Sequence, residues 1–185
     1  MNGTGSAQPL GVVNSGCVQS IAIETGQTLA DTPIMTENVA KMNAAMWRKT
    51  NAAWYINPDL VAKLPFMTIT VGTGGAPTFM PANGVSVQGF NTLWARPIME
   101  MDQCQALGTP GDILFADWTQ YLIGVPQGQS MNARFDTSIH LKFDYDQMAF
   151  RFILQVDGQP WWRTYVTPKR GSTYRTPFVT LATRS

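Results

Sequence analysis

The residues of this chain that could carry chemistry are few and lie far apart. His140 is the only histidine among 185 residues, so a serine or cysteine nucleophile activated by histidine would have to use it. The sequence around it, Thr137 to Leu141, has a strand pattern, and the chain contains no Gly-x-Ser-x-Gly turn that would present a nucleophilic serine. We therefore interpret His140 as a surface or hydrogen-bonded strand residue.

Two pairs of acidic residues have a spacing that a cation site or an acid/base pair could use. Asp144 and Asp146 alternate in an extended segment, which places both carboxylates on one face, where they could hold a divalent cation. No third ligand is evident nearby, so a solvated strand end is the favoured interpretation. Asp112 and Asp117 flank an apolar run and are predicted to bound a strand rather than to act as an acid/base pair.

Neither the cysteines nor the glycine-rich segments form a recognisable site. Cys17 and Cys104 lack zinc and redox spacing and are expected to be free, reduced thiols. The segments Gly3-Thr4-Gly5 and Gly72-Thr73-Gly74-Gly75 lack the Lys-Ser/Thr ending of a phosphate-binding loop. We predict no catalytic, cofactor-binding or metal site, and the sequence indicates a protein that is not an enzyme.

The composition favours contact with other proteins over contact with nucleic acid. Charged residues make up 14% of the chain, against about a quarter in typical domains, and an uncharged polar surface costs less to bury than a charged one. A polar, loop-rich domain is the alternative. The net charge of +1 argues against a nucleic-acid surface, and Lys169-Arg170 with Arg175 is predicted to be a solvated rim. The sequence has no signal-peptide pattern and no apolar run of membrane-spanning length, which indicates a cytoplasmic protein.

The first half of the chain contains the predicted helices. Asp31-Thr32-Pro33 predicts a helix from about 33 to 49, with Thr32 as N-cap. Val18 to Glu24 is a predicted short strand. Ala53 to Ile56 is a predicted buried strand, and Asn57-Pro58 predicts a short helix over 59–64. Thr68 to Val71 is again strand-like, and the glycine-rich segment from Gly72 to Gly84 is predicted to be a long loop of the kind that makes contacts.

The second half is predicted to be rich in strands, so the fold class is α+β. Asp157-Gly158 predicts a hairpin turn. Phe150, Phe152, Leu154 and Val156 alternate with Arg151, Ile153 and Gln155, which predicts one buried face. Trp161 and Trp162 should point to opposite sides of a strand, one into the core. The predicted strands are Val85–Gln88, Pro97–Met101, Ile113–Phe115, Tyr121–Gly124, Ser138–Tyr145, Met148–Val156, Trp161–Val166 and Pro177–Ala182.

Several segments, taken in order, resemble the major capsid proteins of tailed bacteriophages. They are Gly3-Thr4-Gly5 leading to Gln8-Pro9-Leu10-Gly11-Val12-Val13, the helix at 33–49, Ala53-Trp54-Tyr55-Ile56-Asn57-Pro58, Leu93-Trp94-Ala95-Arg96-Pro97-Ile98, Gly111 through Ile123, Phe150-Arg151, and Val156-Asp157-Gly158. The chain departs from that family at Ala95, where the family has glycine. It also begins close to the glycine-rich junction, so we expect it to be the C-terminal portion of a longer subunit.

The resemblance implies the Hong-Kong-97-type capsid fold, with a junction at 1–16, an axial domain at 17–137 and returning strands of the axial and peripheral domains at 138–185. It also implies a shell subunit that assembles into pentamers and hexamers around DNA, in a virion and, during assembly, in the bacterial cytoplasm. The implied partners are copies of itself, with a scaffold or protease during assembly. No cofactor and no membrane is implied. Without a covering helix, the strands from Met148 to Ala182 should expose an apolar face, leaving a monomer or small oligomer.

The candidate inter-subunit contacts are Gly72, Thr73, Gly74, Gly75, Pro77, Phe79, Trp161, Trp162 and Arg163. Two alternatives stay open. One is the shell of an encapsulin-like compartment. The other is a β-rich module that binds carbohydrate or peptide through Trp161, Trp162 and Tyr165 with the Asp144/Asp146 pair.

Overall fold

A six-stranded mixed sheet forms the centre of the fold, and the computed structural model describes residues 1–71, 74–77, 92–125 and 134–184. Two α-helices are described, α1 (Thr36–Ala45) and α2 (Pro58–Val61). The described strands are β1 (Gln19–Ile21), β2 (Ala53–Ile56), β3 (Thr68–Val71), β4 (Gly74–Pro77), β5 (Thr92–Leu93), β6 (Arg96–Glu100), β7 (Ile113–Ala116), β8 (Tyr121–Gly124), β9 (Arg134–Ser138), β10 (Ala149–Ile153), β11 (Asp157–Pro160) and β12 (Phe178–Leu181).

The central sheet has the strand order β1-β12-β7-β2-β6-β5. β12 and β2 both pair antiparallel with β7, whereas β1 pairs parallel with β12 and β6 pairs parallel with β2. Every residue of β7 and β12 is buried. Their near-continuous apolar runs are typical of strands that are covered on both faces. The indole of Trp54 stacks on Phe115 at 4.0 Å, and its Nε1 donates to Leu93 O at 2.9 Å. The α+β expectation and the strands predicted near 53–56, 113–115 and 177–182 are confirmed.

Helix α1 covers one face of this sheet but is shorter than the sequence predicts. It begins at Thr36 rather than residue 33, because the Thr32 hydroxyl accepts the N–H of Thr28 at 3.1 Å and so belongs to the preceding turn. At the helix start, Asn38 Oδ1 instead accepts the N–H of Met35 at 3.0 Å. The helix ends at Ala45, because the following residues pair with Thr176 beside the sheet.

The predicted cap of the second helix is confirmed. Asn57 Oδ1 accepts the N–H of Asp59 at 2.9 Å, and Pro58 occupies the first helical position. α2 ends at Val61, and a 3₁₀ turn over Leu64–Phe66 completes the segment that was predicted as one helix. This segment lies beyond the C-terminal residue of β2.

A turn with left-handed backbone joins β5 to β6. Trp94 and Ala95 adopt φ angles of 52° and 57°, a conformation that costs a residue with a Cβ about 1 kcal/mol or more and costs glycine nothing. The family pattern places glycine where this chain has Ala95, and the turn supplies the physical reason for that glycine.

The predicted loop at 72–84 is wrong for its described part. Gly74–Pro77 forms β4, which pairs antiparallel with β3 so that Val71 lies opposite Gly74. Glycine has a low β-propensity, so the consecutive glycines of this segment do not predict a strand. Residues 72–73 and 78–91, including the predicted strand at 85–88, lie outside the described residues.

Two further two-stranded ribbons are β8–β11 and β9–β10. β8 confirms the strand predicted at Tyr121–Gly124, whereas the longer strands predicted between 138 and 166 are not formed as predicted. Asp157-Gly158 is not a turn, since it begins β11 and Gly158 lies opposite Ile123. Gly158 fits because an added Cβ would lie 2.8 Å from the Tyr121 ring. The strand predicted at 138–145 is also wrong, because β9 ends at Ser138 and a 3₁₀ segment follows over His140–Tyr145. The Met148–Val156 prediction corresponds to the shorter β10.

The strand predicted at 161–166 is absent from this described segment. Trp161 N donates to Gln120 O at 2.8 Å, and the chain then bends away from the ribbon. It returns in a narrow loop closed by Val166 and Arg175, which exchange two backbone hydrogen bonds of 2.8 and 2.9 Å. We call residues 166–175 the basic hairpin, because Lys169 and Arg170 lie exposed at its tip next to Gly171, whose φ is 98°.

Candidate functional site

The two adjacent tryptophans of the predicted contact set have different environments. Trp162 is half-buried against the core, and its Nε1 donates to Gln120 Oε1 at 3.0 Å. Its ring meets Trp47 edge-on, with ring centroids 5.3 Å apart. Trp161 is 67% exposed. The expectation that one indole belongs to the core and the other to the surface is confirmed, although the segment is not a strand.

Arg163 completes this cluster and is exposed. Its backbone carbonyl lies close to Gly16, where an added Cβ would be only 2.7 Å from Arg163 O. This close approach fixes residues 161–163 beside the segment that leads into β1. The exposed indole and guanidinium are therefore held on well-packed backbone, as an interface anchor requires.

The glycine-rich half of the predicted contact set is only partly described. Gly74, Gly75 and Pro77 lie in β4 and pair with Val71, Thr70 and Thr68. Gly72, Thr73 and Phe79 lie outside the described residues. A contact role for this set remains a prediction.

A second surface is exposed, although the alternation from Phe150 to Val156 predicts a buried face. Phe135 on β9 lies 5.6 Å from Phe150 and 5.1 Å from Phe152 on β10, measured between ring centroids. We call these three residues the aromatic face. They are 52%, 58% and 71% exposed, and Leu154 and Val156 beyond the strand are 59% and 45% exposed. The burial that the alternation predicts for the Phe150-to-Val156 face is therefore wrong for the described residues. The expectation that strands after Met148 expose an apolar face is confirmed for β10 but not for the buried β12.

Alternation located this strand correctly but could not show that the ribbon has only two strands. The opposite face of the ribbon carries Asp136, which accepts Arg134 Nε at 3.0 Å and Arg151 Nη2 at 2.7 Å. These two arginines lower the pKa of the Asp136 carboxyl. The ribbon is thus amphipathic, with a charged face satisfied within the chain and an apolar face without cover among the described residues.

The residues predicted as weak candidates for chemistry do not come together. His140 is exposed in the 3₁₀ segment, and Asp144 and Asp146 lie in or just after it rather than on an extended strand. Asp146 has a left-handed φ of 51°. In the described parts of the chain, no three His, Cys, Asp or Glu side chains are placed to hold a metal ion.

Asp112 and Asp117 are both fully buried, and their carboxylates accept hydrogen bonds from backbone N–H groups. Asp112 accepts the N–H groups of Gly108 and Ile113 at 2.9 and 2.8 Å. Asp117 Oδ1 accepts the N–H and hydroxyl of Thr119 at 3.1 and 2.6 Å. Both carboxylates therefore bound β7 as predicted.

The cysteines are free and buried. Burial raises the pKa of the Cys17 thiol, and it raises the pKa of Cys104 to about 11. Thiols with raised pKa values are poor nucleophiles. Among the described residues, no helix has the length and apolar character needed to span a membrane.

Comparison with known proteins points in one direction. Residues 1–163 match the phage capsid family. The fold resembles the capsid of an empty GTA (gene transfer agent) particle, with a TM-score of 0.64 and 14% identity over 98% of this chain and 58% of that chain. It also resembles the capsid of a native GTA particle, with a TM-score of 0.63 and 14% sequence identity over 100% of this chain and 59% of that chain. The chain thus spans less than two thirds of either capsid chain. No curated protein sequence matches it.

Proposed function

The chain belongs to the phage capsid family, and from that membership we propose that it forms part of the icosahedral shell of a tailed phage or prophage. Copies of the subunit would assemble into pentamers and hexamers that close around the DNA genome, as heterologous contacts do when their rotation closes a ring. The observation that carries this proposal is the capsid fold itself, which extends over 98% of this chain in the comparison with the empty particle.

Trp161 and Arg163 are suited to contacts between subunits. Trp and Arg contribute most often to the tightest contacts of protein interfaces, and here both side chains are exposed on backbone fixed against Gly16 and Gln120. Gly72, Thr73, Gly74, Gly75, Pro77 and Phe79 remain proposed contacts near the capsomer axis.

The aromatic face is proposed to be covered in the complete shell subunit. Three clustered phenylalanines that are more than half exposed form the kind of patch that marks a contact surface. By its resemblance to the capsid family, we assign the cover to the long helix of that family's peripheral domain. A β-ribbon with one apolar face suits packing against such a helix.

The charge of the chain supports the role of a container. A net charge of +1 over 185 residues provides little neutralisation for DNA, so the genome would be held by the closed shell rather than by binding to its wall. A scaffold and a protease during assembly, and assembly in the bacterial cytoplasm, are part of the same proposal.

The composition of purified particles tests the proposed function. In the phage or lysogen that encodes this chain, mass spectrometry should find its peptides at many copies per particle, and deletion of its gene should abolish particles seen by electron microscopy. Normal particles without the gene product would refute the proposal. Neighbouring genes for terminase and portal proteins distinguish a phage shell from an encapsulin-like compartment, whose neighbour would encode a cargo protein.

A further inference from the structure

The central sheet has two chemically different ends. β1, β2, β6 and β12 all run in one direction, because β1 is parallel to β12, β6 is parallel to β2, and both β2 and β12 are antiparallel to β7. We call the end where these four strands begin the amino end, and the end where they stop the carboxyl end.

The amino end is basic. Arg96 begins β6 and its Nη1 donates to Thr50 O at 3.0 Å, and Arg175 Nη1 donates to Ala44 O at the end of α1. The basic hairpin leads directly into β12. Asp117, which follows β7 at this end, is fully buried. The exposed and half-exposed cations here are Arg48, Lys49, Arg96, Arg163, Lys169, Arg170 and Arg175.

The carboxyl end is acidic. Glu100 ends β6, and Asp59 lies on α2 just beyond β2. Glu37 lies in the first turn of α1, which points to this end because Ala45, the last helical residue, bonds to Thr176 at the amino end. The exposed acidic residues here are Asp31, Glu37, Asp59, Glu100 and Asp102.

The cations near the carboxyl end already have partners. Arg184 is buried with Asp112, and Lys41 pairs with Glu24. Lys63 is half-buried and donates to Ala30 O at 3.5 Å. The exposed carboxylates of this end therefore have no exposed, unengaged cation beside them in the described structure.

The charge separation belongs to the central sheet and the segments at its two ends, and the described residues include every charged side chain of the protein. The segments 72–73, 78–91 and 126–133 and residue Ser185 contain no charged residue, so every charge lies in the described part. A surface that only needs solvation usually intersperses both signs. The β9–β10 ribbon shows that ordinary pattern, with Arg134 and Arg151 paired to Asp136. The central sheet does not.

We propose that copies of this chain associate head to tail, with the basic amino end of one sheet against the acidic carboxyl end of the next. The proposal rests on the proposed shell function and names the contact surfaces and the partner, a second copy. Such a contact uses different patches on the two copies, so repetition generates a ring when the rotation closes. Each end also offers an exposed apolar side chain, Trp47 at 53% and Phe66 at 74%. Phe66 shares a surface depression with Asp31.

The interaction is expected to be weak and sensitive to salt. Each exposed ion pair contributes little, but a set of complementary charges steers association and rejects wrong orientations. At 0.1 M salt, charges more than about 10 Å apart are screened. Self-association of the chain should therefore weaken at least tenfold between low salt and about 0.5 M salt.

Charge reversal at either end tests the proposal in the full chain. One variant, Lys169→Glu/Arg170→Glu, reverses the tip of the basic hairpin. A second, Glu100→Lys/Asp102→Lys, reverses the carboxyl end. The control, Arg134→Glu/Lys142→Glu, makes the same change in net charge as the hairpin variant, but on β9 and the 3₁₀ segment that follows it. All six side chains are exposed, and in the control Asp136 keeps Arg151 as its partner. Circular dichroism and the thermal midpoint should therefore stay close to those of the original chain.

Sedimentation velocity over a concentration series supplies the readout. Each end variant alone should associate at least tenfold more weakly than the original chain, the control should not change, and an equimolar mixture of the two end variants should associate again. Three results would each overturn the head-to-tail contact. The first is association that neither end variant changes, and the second is a mixture of the two variants that does not associate. The third is an original chain that is monomeric at low salt.

Two further outcomes separate this contact from other roles. If Lys169→Glu/Arg170→Glu lost retention on immobilised DNA while self-association was unchanged, the amino end would be a nucleic-acid surface and the proposal would be wrong. If particles from the native source contained the chain but both end variants still formed them, the head-to-tail contact would fail and the shell function would stand.

Discussion

Arg184 Nη2 donates to Asp112 Oδ2, and this ion pair joins the residue before β7 to the segment after β12. Both side chains are almost fully buried, at 1% and 0% exposed. The backbone supports the pair, since Arg184 N donates to Gly108 O and Gly108 N donates to Asp112 Oδ2, at 2.8 and 2.9 Å. The last described residue of the chain is therefore locked into the carboxyl end of the sheet.

We predict that Arg184→Met lowers the free energy of unfolding by about 3–5 kcal/mol, because it leaves the Asp112 carboxylate buried without its cation. Urea denaturation would measure the loss. Arg170→Met, at an exposed tip, should cost less than about 0.5 kcal/mol. The double variant Asp112→Asn/Arg184→Met should recover part of the loss, and equal stability of Arg184→Met and the original chain would contradict the assignment.

Ala95→Gly is predicted to stabilise the protein by about 0.5–1 kcal/mol. Ala95 has a φ of 57° in the turn between β5 and β6, where glycine avoids the steric cost of the Cβ atom. Thermal denaturation should show a higher midpoint. Ala30→Gly, at an exposed loop residue with no positive φ, is the matched control and should not raise it. A lower midpoint for Ala95→Gly would show that the left-handed turn is not adopted.

The aromatic face should bind apolar dyes without contributing to folding stability. Phe150→Ser/Phe152→Ser is predicted to reduce fluorescence of the dye ANS severalfold while changing the free energy of unfolding by less than about 1 kcal/mol, because both rings are more than half exposed. Phe115→Ala, in the fully buried stack with Trp54, should instead cost about 3–5 kcal/mol. Strong destabilisation by the double variant would mean that the face is covered within this chain.

The sequence predicts the central strands well because their burial is local in origin. An apolar run such as Ile113 to Ala116 has one favourable environment, between two other strands, and Asn57-Pro58 has one favourable role, at a helix start. Thr32 was misassigned because its hydroxyl has two possible backbone partners, and the structure uses the one in the preceding turn.

The surfaces are only partly predictable from the sequence, because they depend on long-range arrangement. The alternation around Phe150 gives a strand but not the number of its neighbours, so from the residues alone this face is expected to be buried. Its exposure is expected only from the resemblance to the capsid family, and the structure adds that the ribbon has two strands. The charge separation is invisible along the chain. Arg48 and Lys169 are brought to one end, and Asp59 and Glu100 to the other, only by the parallel directions of β2, β6 and β12. One local signal was available, since no acidic residue follows Asp157.

Alkaline pH is predicted to destabilise the fold through Cys104. Burial raises the pKa of this thiol from 9.0 to about 11, so between pH 9 and 11 the unfolded chain ionises while the folded chain holds its proton. The contribution of this thiol to the free energy of unfolding is therefore fully present below about pH 9 and is lost as the pH rises toward 11. Cys104→Ala should reduce the loss between pH 8 and pH 10, measured by urea denaturation, by about 1 kcal/mol. An identical pH dependence would contradict the burial of the thiol.

Trp161 and Trp162 should separate assembly from folding. Trp162→Ala removes a half-buried ring, its contact with Trp47 and its hydrogen bond to Gln120, so it should cost about 2–3 kcal/mol in urea denaturation. Trp161→Ala removes a ring that is 67% exposed and should leave stability within about 0.5 kcal/mol. If Trp161 anchors a contact between copies, its removal should nevertheless weaken self-association at least tenfold in sedimentation velocity. Weak association of Trp162→Ala alone, with Trp161→Ala unchanged, would assign this cluster to the core and remove Trp161 from the proposed contact surface.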